Sequence, residues 1–284
     1  RHDGQRSDTA EFLSVDVNPL PVNVSGATAK RWVVSGLFET SGNAQLFSTD
    51  VVPASLEVVG PGKLRHVSGT LTSVNTRLGA GGSGSAQLGI ANTGTTWVNS
   101  GDLFVGLDQP AEVAIENATV ESGNVFLGGG SGNGPGTLTL QGSAAAWSAP
   151  SIGVGSTTDA GTLNIKDGAL LTTQDPSSVD APTALAGTVS VSGQAANGTG
   201  SKWIHHDVLE VGAVGRGDVH VENGASLTVD ELKLGRETGS SGNVHVRGVS
   251  GNAASLLDVA TSIHVGNDQG GGRSEERRVG KECR

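Results

Sequence analysis

Short runs of alternating apolar and polar residues recur along almost the whole chain. Val22 and Val24, Leu56 and Val58, Leu88 and Ile90, and Val113 and Ile115 open the series. It continues through Leu138 and Leu140, Leu163 and Ile165, Val189 and Val191, Val219 and Val221, and Val244 and Val246. Alternation with a period of two sends neighbours to opposite sides of a strand, so each run predicts a half-buried β-strand. Counted from two residues before the first apolar position, the runs start at 20, 54, 86, 111, 136, 161, 187, 217 and 242. From 86 onward the steps are 25, 25, 25, 26, 30 and 25 residues. Strand alternation nested inside so regular a longer period predicts the stacked coils of a solenoid.

Two further columns support that register. Six residues into each coil stand Gly26, Gly60, Asn92, Asn117, Gly142, Asp167, Gly193, Asn223 and Gly248. These are the residue types that tolerate a left-handed backbone, so the column predicts a corner. Each coil then closes on an aliphatic residue followed by Gly: Leu78-Gly79, Val105-Gly106, Leu127-Gly128, Val154-Gly155, Val211-Gly212, Leu234-Gly235 and Val265-Gly266. The coil beginning at Gly161 departs from this and is expected to close through Leu185 and Ala186.

Long and short coils alternate. The long kind carries a tryptophan after the corner, at Trp32, Trp97, Trp147 and Trp203, with Leu257 in that slot in the last copy. The short kind reads IENATV at Ile115, IKDGAL at Ile165 and VENGAS at Val221, which makes the unit a coil pair. Large rings bury most of their area, so the Trp row is read as core or corner packing.

Composition narrows the class. The chain has 45 Gly among 284 residues, 3% aromatics and neither Tyr nor Met. Such a chain builds a narrow core from stacked Val, Leu, Ile and Ala, and the periodicity argues against the disorder that so much Gly would otherwise suggest. The last twelve residues, Arg273 to Arg284 (RSEERRVGKECR), resemble a translated sequencing adapter and are read as a non-native tail. That tail holds the single cysteine, Cys283. Without its five basic and three acidic residues the chain keeps 13 basic against 25 acidic side chains. An acidic chain with no basic cluster argues against nucleic acid and anionic membranes as partners. No apolar run reaches the length of a membrane helix.

The stretch GTLTLQGSAAAWSAPSIGVG from Gly136, followed by GTLNIKDGALL from Gly161, resembles a bacterial surface repeat. That repeat is shared by type V autotransporter passengers and by surface proteins with a PEP-CTERM sorting tail. The resemblance is clearest from Ala86 to Gly266 and weaker from Leu20 to Gly82. It implies an all-β fold, a single-stranded right-handed parallel β-helix of about nine coils, on an exported protein. It implies no catalytic residue. The expected organisation is an irregular lead-in over 1–19, β-helix repeats over 20–272 and the tail over 273–284. The expected role is a structural and adhesive stalk at the bacterial cell surface, meeting host or polysaccharide ligands through coil-junction loops. The outer-membrane barrel or sorting tail is expected beyond this sequence, and unpaired coil edges at both ends are expected to promote aggregation or fraying. The alternative is a carbohydrate-active β-helix enzyme, a lyase or glycoside hydrolase. Against it, Asp159, Asp180, Asp207, Asp218 and Asp230 fall at different coil positions.

Several groups invite a chemical reading. His220 and His245 occupy one column in adjacent coils and should sit one rung, about 4.8 Å, apart; an outward polar column that also holds Asn23, Glu57, Thr139, Asn164 and Ser190 is read as a solvated face. His205-His206-Asp207 is the densest run of catalytic residue types, yet alternation lets only His205 and Asp207 share a face. Arg216-Gly217-Asp218 spells an integrin-type adhesion tripeptide at a coil junction, although Gly217 belongs to the repeat. The run from Gly128 to Gly134 lacks the Lys-Ser/Thr of a phosphate loop and the Asp spacing of a calcium roll, and is read as a turn. Asn117 and Asn197 head glycosylation sequons. No residue is assigned a catalytic, cofactor-binding or metal-ligating role.

Overall fold

In the computed structural model the described residues are 9–12, 20–47, 54–128, 134–156, 158–181 and 185–266. Among them there is no helix, and every long-range strand pairing is parallel. The chain winds into a parallel β-helix whose coils each contribute a strand to three faces. Face one is a sheet of ten strands, from Leu20–Asn23 and Leu37–Ser41 at one end to Arg216–Glu222 and Ser241–Arg247 at the other. Faces two and three begin as separate short strands, as in Thr96–Asn99 and Leu103–Val105. They merge into one eighteen-stranded sheet because Lys202–Val211, Ser226–Leu234 and Leu256–Val265 run across both.

Equivalent residues of successive coils stand over one another. Leu138 pairs with Leu163 and Leu140 with Ile165, continuing to Val189 and Val191 and then Val219 and Val221. Their side chains point inward and are buried, forming aliphatic files that run through one continuous core. A single coil could not cover these side chains; stacking does, at about 1.5–3 kcal/mol for each Val, Leu or Ile fully removed from water.

The corner after face one is set by backbone conformation. Gly26, Gly42, Gly69, Asn92, Asn117, Gly142, Asp167, Gly193, Asn223 and Gly248 all have positive φ. Asn92, Asn117, Asp167 and Asn223 are the only non-glycine residues with positive φ among the described residues, and all four lie in this column. The second corner behaves alike, with φ between +63° and +90° at Gly79, Gly106, Gly128, Gly155, Gly212, Gly235 and Gly266.

The N-terminal third corrects the expected register. Leu56 and Val58 lie on face three, stacked between Trp32 and Val34 on one side and Thr76 and Leu78 on the other. Gly60 therefore leaves the corner column, where Gly42 and Gly69 stand instead. Face one gains two strands that the alternation did not reveal, Leu37–Ser41 and Lys63–Ser68. Their second inward positions are Thr40 and His66, which interrupt the apolar pattern and pair with each other at 3.0 Å. The stack also reaches into the expected lead-in, because Thr9–Phe12 pairs with Arg31–Val34.

Two other expectations are revised. The coil at Gly161 closes through Val179 and Asp180, since Val179 pairs with both Val154 and Val211, while Leu185 is exposed. Asp180 replaces the corner glycine and accepts hydrogen bonds from the backbone N–H of Val214 and Gly215, both at 2.8 Å. The 30-residue step after Gly187 is absorbed by an excursion closed through an antiparallel bridge between Gln194 and Gly200. In the last described coil Val246, Leu256, Ile263 and Val265 are exposed, a coil edge with no further coil on it among the described residues. The tail over 273–284, with Cys283, lies outside the described residues.

Candidate functional site

Three tryptophans form an internal row. Trp97, Trp147 and Trp203 stack on face two in line with Leu71, Val120, Leu171 and Leu227, at 0–2% exposure. Each indole N–H donates to a hydroxyl of the preceding coil: Ser73, Ser122 and Thr173, each at 2.9 Å. A buried indole needs such an acceptor, and the repeat supplies one at the same place each time. Trp32 is buried too but belongs to face three, so it does not share the slot.

His205 belongs to this interior. Its Nδ1 lies 2.8 Å from Thr173 Oγ1, the atom that accepts from Trp203. Burial pushes its pKa below the ordinary histidine value, against the opposing influence of the Val208 backbone and of Asp207 and Asp230. A register shift between His205 and Val208 then breaks the alternation. His206 is exposed, and Asp207 folds back to accept from the Val208 N–H at 2.7 Å. The trio therefore does not converge. His66, which pattern reading missed as an interior residue, repeats the arrangement on Thr40, and burial lowers its pKa as well. Nε2 of both rings is buried without a partner.

Arg216, Gly217 and Asp218 sit inside a strand, not on a loop. Arg216 is exposed, but its Nε is 3.0 Å from Asp218 Oδ2, while Asn243 Nδ2 donates to Asp218 Oδ1 at 2.7 Å. Both carboxylate oxygens are thus engaged, and the Asp218 residue is 8% exposed. Gly217 is required by packing: a Cβ there would lie 2.1 Å from the Val179 carbonyl oxygen.

The outer surface carries the remaining candidates. His220 and His245 stack with ring centroids 5.0 Å apart, one rung as expected, and Glu222 faces both His220 and Arg247. Their column on face one reads Glu39, Arg65, Gly89, Ala114, Thr139, Asn164, Ser190, His220, His245. Glu57 and Asn23 are not in it; Glu57 lies on face three, ion-paired with Arg31 and Arg77. Where the column falls to Gly89 and Ala114, Leu37, Lys63, Arg65 and Glu112 border a hollow of about 290 Å³. On face three Phe104 and Phe126 stack outward, centroids 5.0 Å apart and planes 14° from parallel, a pair that the search for alternation passed over. Between Gly128 and Gly134, residues 129–133 lie outside the described residues. Among the described residues no group of three or more His, Cys, Asp or Glu is placed to hold a metal ion. Compared with known proteins, the chain matches no family model, no curated sequence and no solved structure.

Proposed function

We propose that this chain is a structural and adhesive rod segment of an exported bacterial surface protein, of the autotransporter or sorting-tail kind its repeat resembles, without catalysis of its own. The observation that carries this reading is the continuity of the core. One hydrophobic cluster runs from Val24 to Leu232, with inward residues in register from coil to coil. A rod so built transmits load along its axis through parallel backbone ladders and presents three outer faces to its surroundings. Two of the polar side chains that sequence reading singled out, His205 and Asp218, are engaged within the fold.

The test sets rod against enzyme. The chain is incubated with thermolysin and, separately, with a set of plant and bacterial polysaccharides. The reading expects slow proteolysis confined to excursions such as 194–200, and no new reducing ends or unsaturated uronic products. Product release that follows the purified chain would overturn it.

A further inference from the structure

The outward column of face three runs Arg77, Phe104, Phe126, Gly153, Ser178. Glycine in a strand interior weakens the strand and often marks close approach of a ligand or of another backbone. Gly153 has no internal reason to be glycine. It is not among the residues with positive φ, and a Cβ there would lie 3.8 Å from both Phe126 Cδ1 and Ser178 Oγ, an ordinary contact. This contrasts with Gly136 and Gly161, where a Cβ would meet backbone atoms at 2.1 Å. The aromatic stack therefore stops one rung short, and the side of Phe126 toward Gly153 has no side chain over it.

The chemistry of the gap is specific. Phe126 and Ser178 are two backbone rungs apart, and a Cβ at Gly153 would stand 3.8 Å from both Phe126 Cδ1 and Ser178 Oγ, so the opening is bordered by an aromatic face on one side and a hydroxyl on the other. The residues immediately before these strands, Asp102, Asn124 and Ser151, form a polar column that accompanies the aromatic one. It is ordered by hydrogen bonds from Ser151 Oγ to Asn124 Oδ1 at 2.9 Å and from Asn124 Nδ2 to Asp102 Oδ1 at 3.3 Å. Ser148 and Pro150, just before Ser151 in the chain, border with Glu121, Gln174 and Asp175 a neighbouring open hollow of about 410 Å³ that Phe126, Ser151, Gly153 and Ser178 do not line. An apolar ring face beside hydroxyl, amide and carboxylate groups suits a pyranose, whose C–H face stacks while its hydroxyls hydrogen-bond at the rim. A net charge of −10 and the carboxylates of Asp102 and Asp175 favour a neutral sugar.

We propose that the rung left open by Gly153 is a subsite for a neutral pyranose of a polysaccharide, stacked on Phe126 and bordered by Ser151 and Ser178. The test is affinity electrophoresis of the full chain in native gels containing a mixed-linkage β-glucan, a galactomannan or a xyloglucan. Retardation is expected in at least one gel. It should weaken about fivefold or more in Phe126→Ala, the size of one lost stacking contact. Gly153→Val fills the rung with a strand-favouring side chain that has room. It should melt at or above the parent temperature and lose retardation, whereas Thr139→Val on face one should keep it. Absence of retardation in all three gels, or its retention in a folded Gly153→Val variant, would overturn the proposal. Neither result bears on whether the chain is a rod, which proteolysis and product release address.

Discussion

Thr173→Val isolates the interior hydrogen bonding on which the tryptophan row depends. Thr173 is fully buried, and its hydroxyl serves Trp203 Nε1 at 2.9 Å and His205 Nδ1 at 2.8 Å. An indole N–H only donates, so the hydroxyl accepts from Trp203. Between that hydroxyl and Nδ1 the hydrogen sits on one atom or the other according to the imidazole tautomer, and either way the pair is made. Valine keeps the shape and the strand preference but removes both hydrogen bonds at once. Each buried polar group left unsatisfied costs about 1–3 kcal/mol, so the two together predict a loss of roughly 2–6 kcal/mol. Thr172, the neighbour that faces outward, provides the control, since Thr172→Val should change stability by less than about 0.5 kcal/mol. Urea unfolding followed by circular dichroism and by tryptophan fluorescence measures both. A loss below about 1 kcal/mol for Thr173→Val, or equal effects at the two positions, would refute the reasoning.

Three further outcomes follow from the same geometry. Burial lowers the pKa of His66 and His205, so the unfolded chain binds more protons than the folded one as pH falls through the ordinary histidine range. Stability should therefore be complete above about pH 6.5 and decline below it, and melting temperatures between pH 7.5 and 5 should show a decline that is smaller in the His66→Gln, His205→Gln double variant. Gly217→Ala forces a Cβ to within 2.1 Å of the Val179 carbonyl oxygen and should cost about 1–3 kcal/mol or more by denaturant titration, although it alters neither charge of the adhesion tripeptide. At the corner, Asn117 has φ +52°, so Asn117→Gly should be tolerated while Asn117→Val loses about 1–2 kcal/mol; equal melting temperatures for the two would contradict the left-handed column.

From Ala86 onward, alternation, corner residues and step length all pointed to one register, and the strands follow it. The earlier coils were obscured because Thr40 and His66 stand where the pattern needed apolar residues. Alternation is also common to all three faces, so Leu56 and Val58 looked like face one while lying on face three. The burial of the Trp row could be argued from side-chain area alone, but its hydroxyl partners come from the preceding coil and become visible only once the register is known. The same holds for Asp218, whose carboxylate is engaged by an asparagine one coil away. Phe104 and Phe126 are 22 positions apart, in a step shortened relative to its neighbours, which hid their stacking from a search tuned to apolar pairs.

Stacking of equivalent positions along one axis can be measured directly by pulsed electron–electron resonance between nitroxide pairs on the outward column of face one, with Cys283 replaced by Ser. The pairs Ala114/Ser190, Ala114/His245 and Arg65/His245 are separated by three, five and seven rungs. At about 4.8 Å per rung the backbone separations should grow linearly, to roughly 14, 24 and 34 Å. Distances that fail to rise in that order, or that cluster near one value as in a sandwich or a propeller, would contradict the β-helix.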